Sequence, residues 1–161
     1  MRTIKKRRRE GKTDYKARIE LLKGGIPRIV LRRSNRYFTA QYVKTEEARD
    51  KVIDGVNSII LLKYGWPEAQ KGSLKSKIAG YLTGFLLGKR IIDREGKNVN
   101  VIFDTGLSRS TPKSRNYAFA KGLKESGVKI RCDEKMFPDI KSEKISIEKI
   151  KKEIEKIWEK E

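Results

Sequence analysis

The segment at residues 27–43 constrains the fold most, because it contains two β-type runs separated by a short polar turn. Side chains alternate between the two faces of a strand, so Phe38, Ala40 and Tyr42 are expected to share one face. We predict a two-residue turn centred on Ser34 and Asn35, since asparagine tolerates the left-handed backbone that a tight hairpin requires. The segment therefore predicts an antiparallel hairpin.

Three arginines crowd the tip of this hairpin, namely Arg32, Arg33 and Arg36. Like charges across a hairpin repel one another, and a bound anion removes that repulsion. A phosphate backbone is the most common anion of that size. A solvated basic turn is the alternative interpretation when this segment is considered alone.

The charge of the whole chain favours the interpretation in which the hairpin tip binds an anion. The 161 residues include 40 Lys or Arg against 21 Asp or Glu, a formal net charge of +19. Residues 1–40 alone hold 14 basic and 3 acidic residues, so +11 lies in the first quarter. Such an excess opposes compaction unless a polyanion neutralises it. Nucleic acid is therefore the expected partner, and an anionic membrane surface is the weaker alternative.

Several kinds of chemistry are not supported by the composition. The chain has no histidine and a single cysteine, Cys132, so the usual general base and a zinc site are both missing. Cys132 is expected to be a small, partly buried filler in a protein of a reducing compartment. No glycine-rich phosphate loop of a nucleotide-binding enzyme is present. We predict no catalytic site, no metal and no cofactor.

Targeting and membrane signals are also missing from the sequence. The N-terminal residues lack the apolar segment of a signal peptide, and no apolar run approaches the length of a membrane span. The sequence thus predicts a soluble, intracellular protein that does not act at a membrane.

The first residues are expected to stay extended or disordered until they meet a polyanion. Residues 2–12 carry seven cations, opposed only by Glu10. A nuclear-import signal is the alternative for such a basic run. The cations that we predict to bind RNA here are Lys5, Lys6, Arg7, Arg8, Arg9 and Lys12.

A short basic amphipathic helix is predicted next, capped by Thr13 or Asp14 and ended by Gly24 and Gly25. Its apolar face is formed by Tyr15, Ile19 and Leu22. We expect this face to dock on the domain while Lys16 and Arg18 turn toward RNA. A helix lying on a membrane surface is the alternative.

The middle part of the sequence is predicted to alternate between strands and helices. We expect a third strand at 51–55, a helix at 73–91, a buried strand at 99–104, a second helix and a short edge strand at 128–130. The second helix is predicted to start with Thr111 as cap and Pro112 as first residue, and to end at Gly127. This order favours an α/β sheet.

Two further features concern packing in the helices. Gly80, Gly84 and Gly88 recur every four residues, and we expect this stripe to pack closely on the sheet. Near the C-terminus, isoleucines follow helical spacing behind Ser146 as the predicted cap. That helix is expected to pack on the domain or on a partner, with Trp158 as a candidate anchor.

A second basic cluster surrounds the predicted start of the 112–126 helix. Arg109, Lys113 and Arg115 lie there, and no acid occurs between Thr105 and Lys121. A helix N-terminus already favours an anion, so cations at this place are unfavourable unless a phosphate occupies the site. Loose surface charge is the alternative.

The combination of segments resembles the archaeal ribosomal protein family known as large-subunit protein eighteen. The resemblance covers roughly residues 5–140 in matching order. Its segments include residues 7–18, Arg32-Arg33-Ser34-Asn35-Arg36-Tyr37, Lys63-Tyr64-Gly65-Trp66, Ala79-Gly80-Tyr81-Leu82-Thr83-Gly84, Asp104-Thr105-Gly106-Leu107, Ser114-Arg115 and Phe137-Pro138-Asp139. Lys113 departs from the pattern, because the family often has a glycine there.

This resemblance implies a three-layer, ribonuclease-H-like mixed sheet with flanking helices, a basic N-terminal arm and a C-terminal helix. It implies a structural component of the large ribosomal subunit in the cytoplasm, without enzymatic activity. The implied partners are 5S rRNA, large-subunit rRNA and neighbouring ribosomal proteins of the central protuberance. We expect an arm and helix at 1–24, a globular domain at 25–135 and an extension at 136–161.

The predicted RNA-binding set combines the arm, the short helix, the hairpin tip and the second basic cluster. In addition to the arm cations it comprises Tyr15, Lys16, Arg18, Arg28, Arg32, Arg33, Ser34, Asn35, Arg36, Tyr37, Arg109, Lys113, Ser114 and Arg115. Tyr15 and Tyr37 are expected to stack on bases or pack on riboses.

Two other functions stay open at this point. One is a nonspecific nucleic-acid-binding protein. The other is a nuclease of the same fold built around Asp104, although a two-metal site needs several carboxylates that converge there. A capping or loop-bracing role for Asp104 is the stronger interpretation.

Overall fold

The computed structural model describes residues 6–11, 13–46, 49–141 and 145–158. Its centre is a five-stranded sheet with the order β3-β2-β1-β4-β5. The strands are β1 (Arg28–Arg33), β2 (Phe38–Glu46), β3 (Arg49–Asn57), β4 (Asn100–Asp104) and β5 (Lys129–Ile130). β1 to β3 form an antiparallel meander, whereas β4 runs parallel to β1 and β5 parallel to β4. The predicted mixed α/β sheet is therefore confirmed.

Within the described residues, five α-helices accompany the sheet. They are α1 (Lys6–Arg9), α2 (Tyr15–Lys23), α3 (Lys77–Glu95), α4 (Arg115–Ser126) and α5 (Ile147–Trp158). Short 3₁₀ helices occur at Ser58–Tyr64, Glu68–Ser73 and Glu134–Met136. α3 and α4 cover the face of the sheet that carries Ile29, Leu31 and the aromatic residues of β2.

The hairpin at the centre of the sheet is confirmed, with Phe38, Ala40 and Tyr42 buried on one face. Its turn differs from the prediction. The backbone N–H of Ser34 donates to the carbonyl of Tyr37, so the central pair is Asn35 and Arg36. Ser34 Oγ accepts hydrogen bonds from the N–H groups of Arg36 and Tyr37. Because this hydroxyl closes the turn, Asn35 does not take up the left-handed conformation.

The third strand is longer than predicted. The predicted strand spans 51–55, whereas β3 begins at Arg49 and ends at Asn57, and β2 before it continues to Glu46. Glu46 lies opposite Arg49 in the register, and Thr45 lies opposite Asp50. Opposite charges across a strand pair stabilise such an extension.

Helices α3 and α4 approach each other more closely than side chains normally permit, because both supply glycines to the contact. A Cβ on Gly84 would overlap the carbonyl of Phe119, and a Cβ on Gly122 would overlap the carbonyl of Tyr81. Gly88 lies against Ser126 in the same way. The prediction that the glycine stripe packs on the sheet is therefore wrong for Gly84 and Gly88, which face α4. Of these three glycines, Gly80 lies both against α4 and against the ring of Phe38 in the sheet.

The start of α4 also differs from the prediction. The helix begins at Arg115 with Ser114 as cap, three residues after the expected first residue Pro112. Lys113 has a left-handed φ of 56°, which interrupts a right-handed helix. Its N–H donates instead to the carbonyl of Met136 at 2.9 Å. The predicted end is confirmed, because Gly127 closes the helix with a left-handed φ of 107°.

Helix α5 belongs to the core of the domain. Ile145, Ile150 and Ile154 are buried in the same apolar cluster as α3, which confirms packing on the domain. The side chains of Ile157 and Trp158 lie outside the described residues. The extension after residue 136 thus ends in a helix that is integrated with the sheet and its helices.

A polar network joins α5 to α3 and α4. Glu125 accepts hydrogen bonds from the hydroxyl of Tyr81 and from Lys151 Nζ, the latter at 2.8 Å. Lys151 Nζ also lies 4.9 Å from the ring centres of Tyr81 and Phe85. Burial and the carboxylate of Glu125 raise the pKa of Tyr81 to about 12. Burial opposes ionisation of Glu125, but the hydrogen bonds from Lys151 and Tyr81 outweigh it and lower its pKa.

The N-terminal arm is more ordered than predicted in the part that the structure describes. Lys6–Arg9 form a single helical turn, and Arg7 Nε donates to Thr13 Oγ1 at 3.0 Å. Helix α2 follows with Asp14 as cap, which accepts from the N–H groups of Lys16 and Ala17, as predicted. Its expected apolar face is only partly covered, because Ile19 is 49% exposed while Tyr15 and Leu22 are half-buried.

Candidate nucleic-acid interface

The carboxyl ends of β1 and β4 meet at one end of the sheet, because these strands are parallel and Val30 pairs with Asp104. The hairpin tip follows β1, and the loop 105–114 follows β4. Helices α3 and α4 both begin at this same end, since Gly80 lies against Phe38 and against the carbonyl of Arg115. The topology therefore brings the two basic clusters predicted from the sequence to one end of the sheet.

A groove of about 660 Å³ lies between α2 and the face of the sheet that α3 and α4 leave open. Its floor includes the outward-facing residues Val30, Gln41 and Val52. Its cations come from three elements, α1, α2 and β1, and are Arg7, Arg18, Arg28, Arg32 and Arg33, and its carboxylates are Asp14, Asp50 and Asp104. The groove is thus cationic and joins the arm and α2 to the base of the hairpin tip.

Arg28 does not behave as the exposed cation that the sequence suggested. Its side chain is only 7% exposed, and its Nη2 lies 2.5 Å from Oδ2 of Asp50. The same carboxylate oxygen lies 3.4 Å from Nη2 of Arg18. A buried guanidinium requires such a partner, because an unpaired charge in a low-dielectric site is strongly unfavourable. We therefore assign Arg28 to the framework of the groove and remove it from the proposed phosphate contacts.

Arg32 braces the loop that follows β4. Its Nη2 lies 3.5 Å from Oδ2 of Asp104, and its Nη1 donates to the carbonyl of Leu31 at 2.9 Å. Asp104 Oδ1 accepts from the N–H of Gly106 at 2.7 Å, which confirms the loop-bracing interpretation. Gly106 has a φ of 60°, a backbone conformation that favours glycine, and a Cβ there would lie 3.0 Å from the Arg32 guanidinium. Because Asp104 is engaged in this way, the geometry does not favour a nuclease centred on it.

The hairpin tip presents two further arginines to solvent. Arg33 and Arg36 are exposed, and neither makes an ion pair within the parts of the chain that the structure describes. The turn between them is fixed by the hydroxyl of Ser34. Tyr37 is half-buried and packs against the core, so it contributes at most one side of its ring. The tip is a fixed turn with two unneutralised guanidinium groups.

The second basic cluster lies at the start of α4. Arg109, Lys113 and Arg115 are exposed there. Ser114 occupies the N-cap position of α4, but its Oγ is shielded from solvent, makes no capping hydrogen bond and has no hydrogen-bond partner in the described residues. Ser110 and Tyr117 share a hydrogen bond of 2.5 Å across the loop. The left-handed backbone at Lys113 is a conformation that glycine adopts without strain and that other residues rarely adopt.

The remaining predicted contacts are distributed along the arm and α2. Lys6, Arg7, Arg9, Lys16 and Arg18 are exposed. Lys5, Lys12 and the side chain of Arg8 lie outside the described residues. Tyr15 is half-buried at the start of α2. Of these residues, Arg7 and Arg18 line the groove, whereas Lys6, Arg9, Tyr15 and Lys16 lie on the arm and α2 outside its lining.

Sequence reasoning missed two features of the groove. Asp50 holds Arg28 and Arg18, but it lies within a charged run, and only the register of β3 against β2 shows its place. Leu107 and Val52 expose 59% and 51% of their surface in the groove. The exposure of Val52 could have been predicted, because this apolar residue lies on the outward-facing side of a strand. Polar residues are more common at such positions.

The sequence of this chain is similar to those of known ribosomal proteins. A model of the family described as "ribosomal large subunit proteins 60S L5, and 50S L18" matches residues 1–99. The chain belongs to this family. Over 134 residues it is 40% identical to large ribosomal subunit protein uL18 of Korarchaeum cryptofilum, covering 83% of this chain and 66% of that protein. The uL18 proteins of Halobacterium salinarum and Aeropyrum pernix are 38% and 37% identical, with 70% and 60% of their lengths covered.

Membership of the L5/L18 family confirms the resemblance found in the sequence and agrees with the sheet and helices observed. The chain is accordingly a large-subunit ribosomal protein. Each helix of the described residues is too short or too polar to span a bilayer. The same residues contain no cluster of histidine, cysteine or carboxylate side chains that could hold a metal ion. Cys132 is half-buried, and burial raises the pKa of its thiol, which fits a filler rather than a reactive group.

Proposed function

We propose that this L5/L18-family protein binds 5S rRNA and attaches it to large-subunit rRNA in the central protuberance of the cytoplasmic ribosome. The observation that carries the proposal is the gathering of unpaired cations at one end of the sheet. Arg33 and Arg36 come from the hairpin tip, and Arg109, Lys113 and Arg115 come from the start of α4. A folded RNA supplies phosphates to both clusters at once.

Phosphate contacts supply most of the affinity in this account. Each cation that meets a phosphate releases a condensed counterion, so binding weakens steeply as salt rises. The groove beneath α2 extends this surface with Arg7 and Arg18. Because these groups contact the backbone, they orient the RNA and do not read its sequence. The fixed shape of the tip and the loop then selects an RNA of matching fold.

Aromatic contacts add to this surface. Tyr15 begins α2, and Tyr37 ends the hairpin turn, so both lie next to cations of the proposed interface. Each is half-buried, which leaves part of the ring for an unpaired base or a ribose. Stacking of this kind contributes about 1–3 kcal/mol per base in single-stranded sites. The remaining partners in this proposal are the neighbouring ribosomal proteins of the central protuberance.

The proposal predicts the behaviour of Arg33→Ala combined with Arg36→Ala. This variant should bind 5S rRNA about tenfold or more weakly, because two charge-assisted phosphate contacts are lost. The slope of log affinity against log salt should become shallower by about two units. Filter binding at several salt concentrations measures both quantities. Thermal unfolding should be nearly unchanged, because neither side chain is buried or paired in the described structure.

Lys97→Ala combined with Lys129→Ala is the matched control. Both lysines are exposed and lie near the amino end of β4, at the opposite end of the sheet from the proposed interface. This control removes the same charge and should leave the affinity within about twofold. Equal losses in the two variants, or equal binding of a length-matched control RNA by the wild type, would support a nonspecific nucleic-acid binder instead.

A further inference from the structure

A second groove, of about 520 Å³, lies between α5 and the segment that ends the first 3₁₀ helix. One wall is formed by Lys149, Lys152 and Lys156 of α5, and the other by Tyr64 and Pro67. Helix α5 packs on α3, and α3 lies on the covered face of the sheet. This groove is therefore on the opposite side of the sheet from the groove beneath α2.

The charge in this groove is not neutralised by the rest of the helix. Lys149 and Lys152 are exposed and make no ion pair within the described part of the chain. Lys156 pairs with Glu153 at 2.6 Å, the one carboxylate that lines the groove. Lys151 and Glu155 point elsewhere and pair with Glu125 and Lys89. Two cations thus remain available on this wall.

Both walls are fixed in place before any ligand binds. Ile150 and Ile154 hold α5 in the core, and Lys151 ties it to Glu125 and Tyr81. On the other side, Gly65 turns the chain with a left-handed φ of 87°. Trp66 is then buried, and its Nε1 donates to the carbonyl of Gln70. A preformed groove loses little conformational entropy on binding.

We propose that this groove holds a second RNA segment, separate from the one at the hairpin tip and the start of α4. Its phosphates would contact Lys149 and Lys152, and an unpaired base would lie against the ring of Tyr64. Cations beside an aromatic ring are the combination that binds single-stranded RNA. A docked protein helix would need several aliphatic pockets in a row, whereas the wall facing α5 supplies one tyrosine and one proline.

This inference rests on the proposed function and adds to it. A protein that attaches one RNA to another needs two cationic surfaces that do not compete. The sheet separates the α5 groove from the groove beneath α2, so each can be filled while the other is occupied. Large-subunit rRNA is accordingly the RNA that we assign to the α5 groove, with 5S rRNA on the other surface.

The test uses Lys149→Glu combined with Lys152→Glu in the full chain. A preformed complex of protein and 5S rRNA is titrated with transcribed large-subunit rRNA, and the ternary complex is followed by gel shift. The variant should form the ternary complex at least tenfold more weakly, with a salt slope shallower by about two units. Its affinity for 5S rRNA alone should stay within about twofold of the wild type. Lys97→Glu combined with Lys129→Glu, an equal reversal elsewhere, should change neither step.

Three outcomes would overturn the inference. An unchanged ternary step would show that RNA does not use this groove. A parallel loss of 5S rRNA binding would show that the groove belongs to the first surface. An equal effect of the control variant would show that only net charge matters. Failure of the wild type to bind 5S rRNA contradicts the proposed function, and direct titration with large-subunit rRNA then tests the α5 groove by itself.

Discussion

Replacing Gly122 with alanine is expected to lower the free energy of unfolding by about 3 kcal/mol, at the upper end of typical overpacking costs. The new Cβ would overlap the carbonyl of Tyr81 and lie 2.9 Å from the backbone nitrogen of Phe85. Backbone atoms of a helix cannot rotate away, so α3 and α4 must separate. Chemical denaturation with urea measures the change.

Gly72→Ala provides the control for this prediction, because no atom lies within 4 Å of a Cβ at that position. The control should be neutral or slightly stabilising. Alanine is also favoured over glycine in a helix by about 1 kcal/mol, which opposes the expected loss at Gly122. A variant at Gly122 as stable as the wild type would contradict the close approach of the two helices. That approach matters for function because it positions Arg115 at the carboxyl end of the strands.

Asp50→Ala should also destabilise the protein strongly, by about 3 kcal/mol. The substitution leaves the guanidinium of Arg28, 7% exposed, without its carboxylate partner. The hydrogen bond from Thr45 Oγ1 to Asp50, 2.9 Å long, is lost as well. Thermal or urea unfolding gives the change in stability. Arg18 is released at the same time, so the folded variant should bind 5S rRNA more tightly than the wild type.

The matched control for Asp50 is Asp93→Ala. Asp93 is exposed on α3 and forms no ion pair in the described residues, so this control should change stability by less than about 0.5 kcal/mol. Adding Arg28→Met to Asp50→Ala should recover most of the loss, because no buried charge then remains. Equal stability of the two single variants would mean that Arg28 is hydrated rather than dependent on Asp50.

Local signals in the sequence predicted local structure well. The cap at Asp14 and the end of α4 at Gly127 each depend on residues within one helical turn, and both are confirmed. The alternation of Phe38, Ala40 and Tyr42 is confirmed because a strand with one buried face has a fixed period. The turn at Ser34 was misplaced by one residue, because a side-chain hydroxyl replaced the expected left-handed backbone.

The predictions that were wrong concern residues whose environment is set by a contact with a residue distant in the sequence. Gly84 faces α4 rather than the sheet because Gly122, almost forty residues later, permits the helices to approach. Arg28 resembles the other arginines of the hairpin, and only Asp50 on a different strand makes it part of the framework. Pro112 fits a helix start, but the contact of Lys113 with Met136 delays the helix to Arg115.

The central claim is that unpaired cations from separate segments meet at one end of the sheet and bind one folded RNA. The most direct measurement is arginine-specific chemical modification with and without 5S rRNA, read out residue by residue by mass spectrometry. The account predicts that bound 5S rRNA protects four exposed arginines at this end from modification, namely Arg33, Arg36, Arg109 and Arg115. Arg131, which is exposed and follows β5, should keep its reactivity. Protection that is uniform over the surface, or that includes Arg131 and omits the hairpin tip, would contradict it.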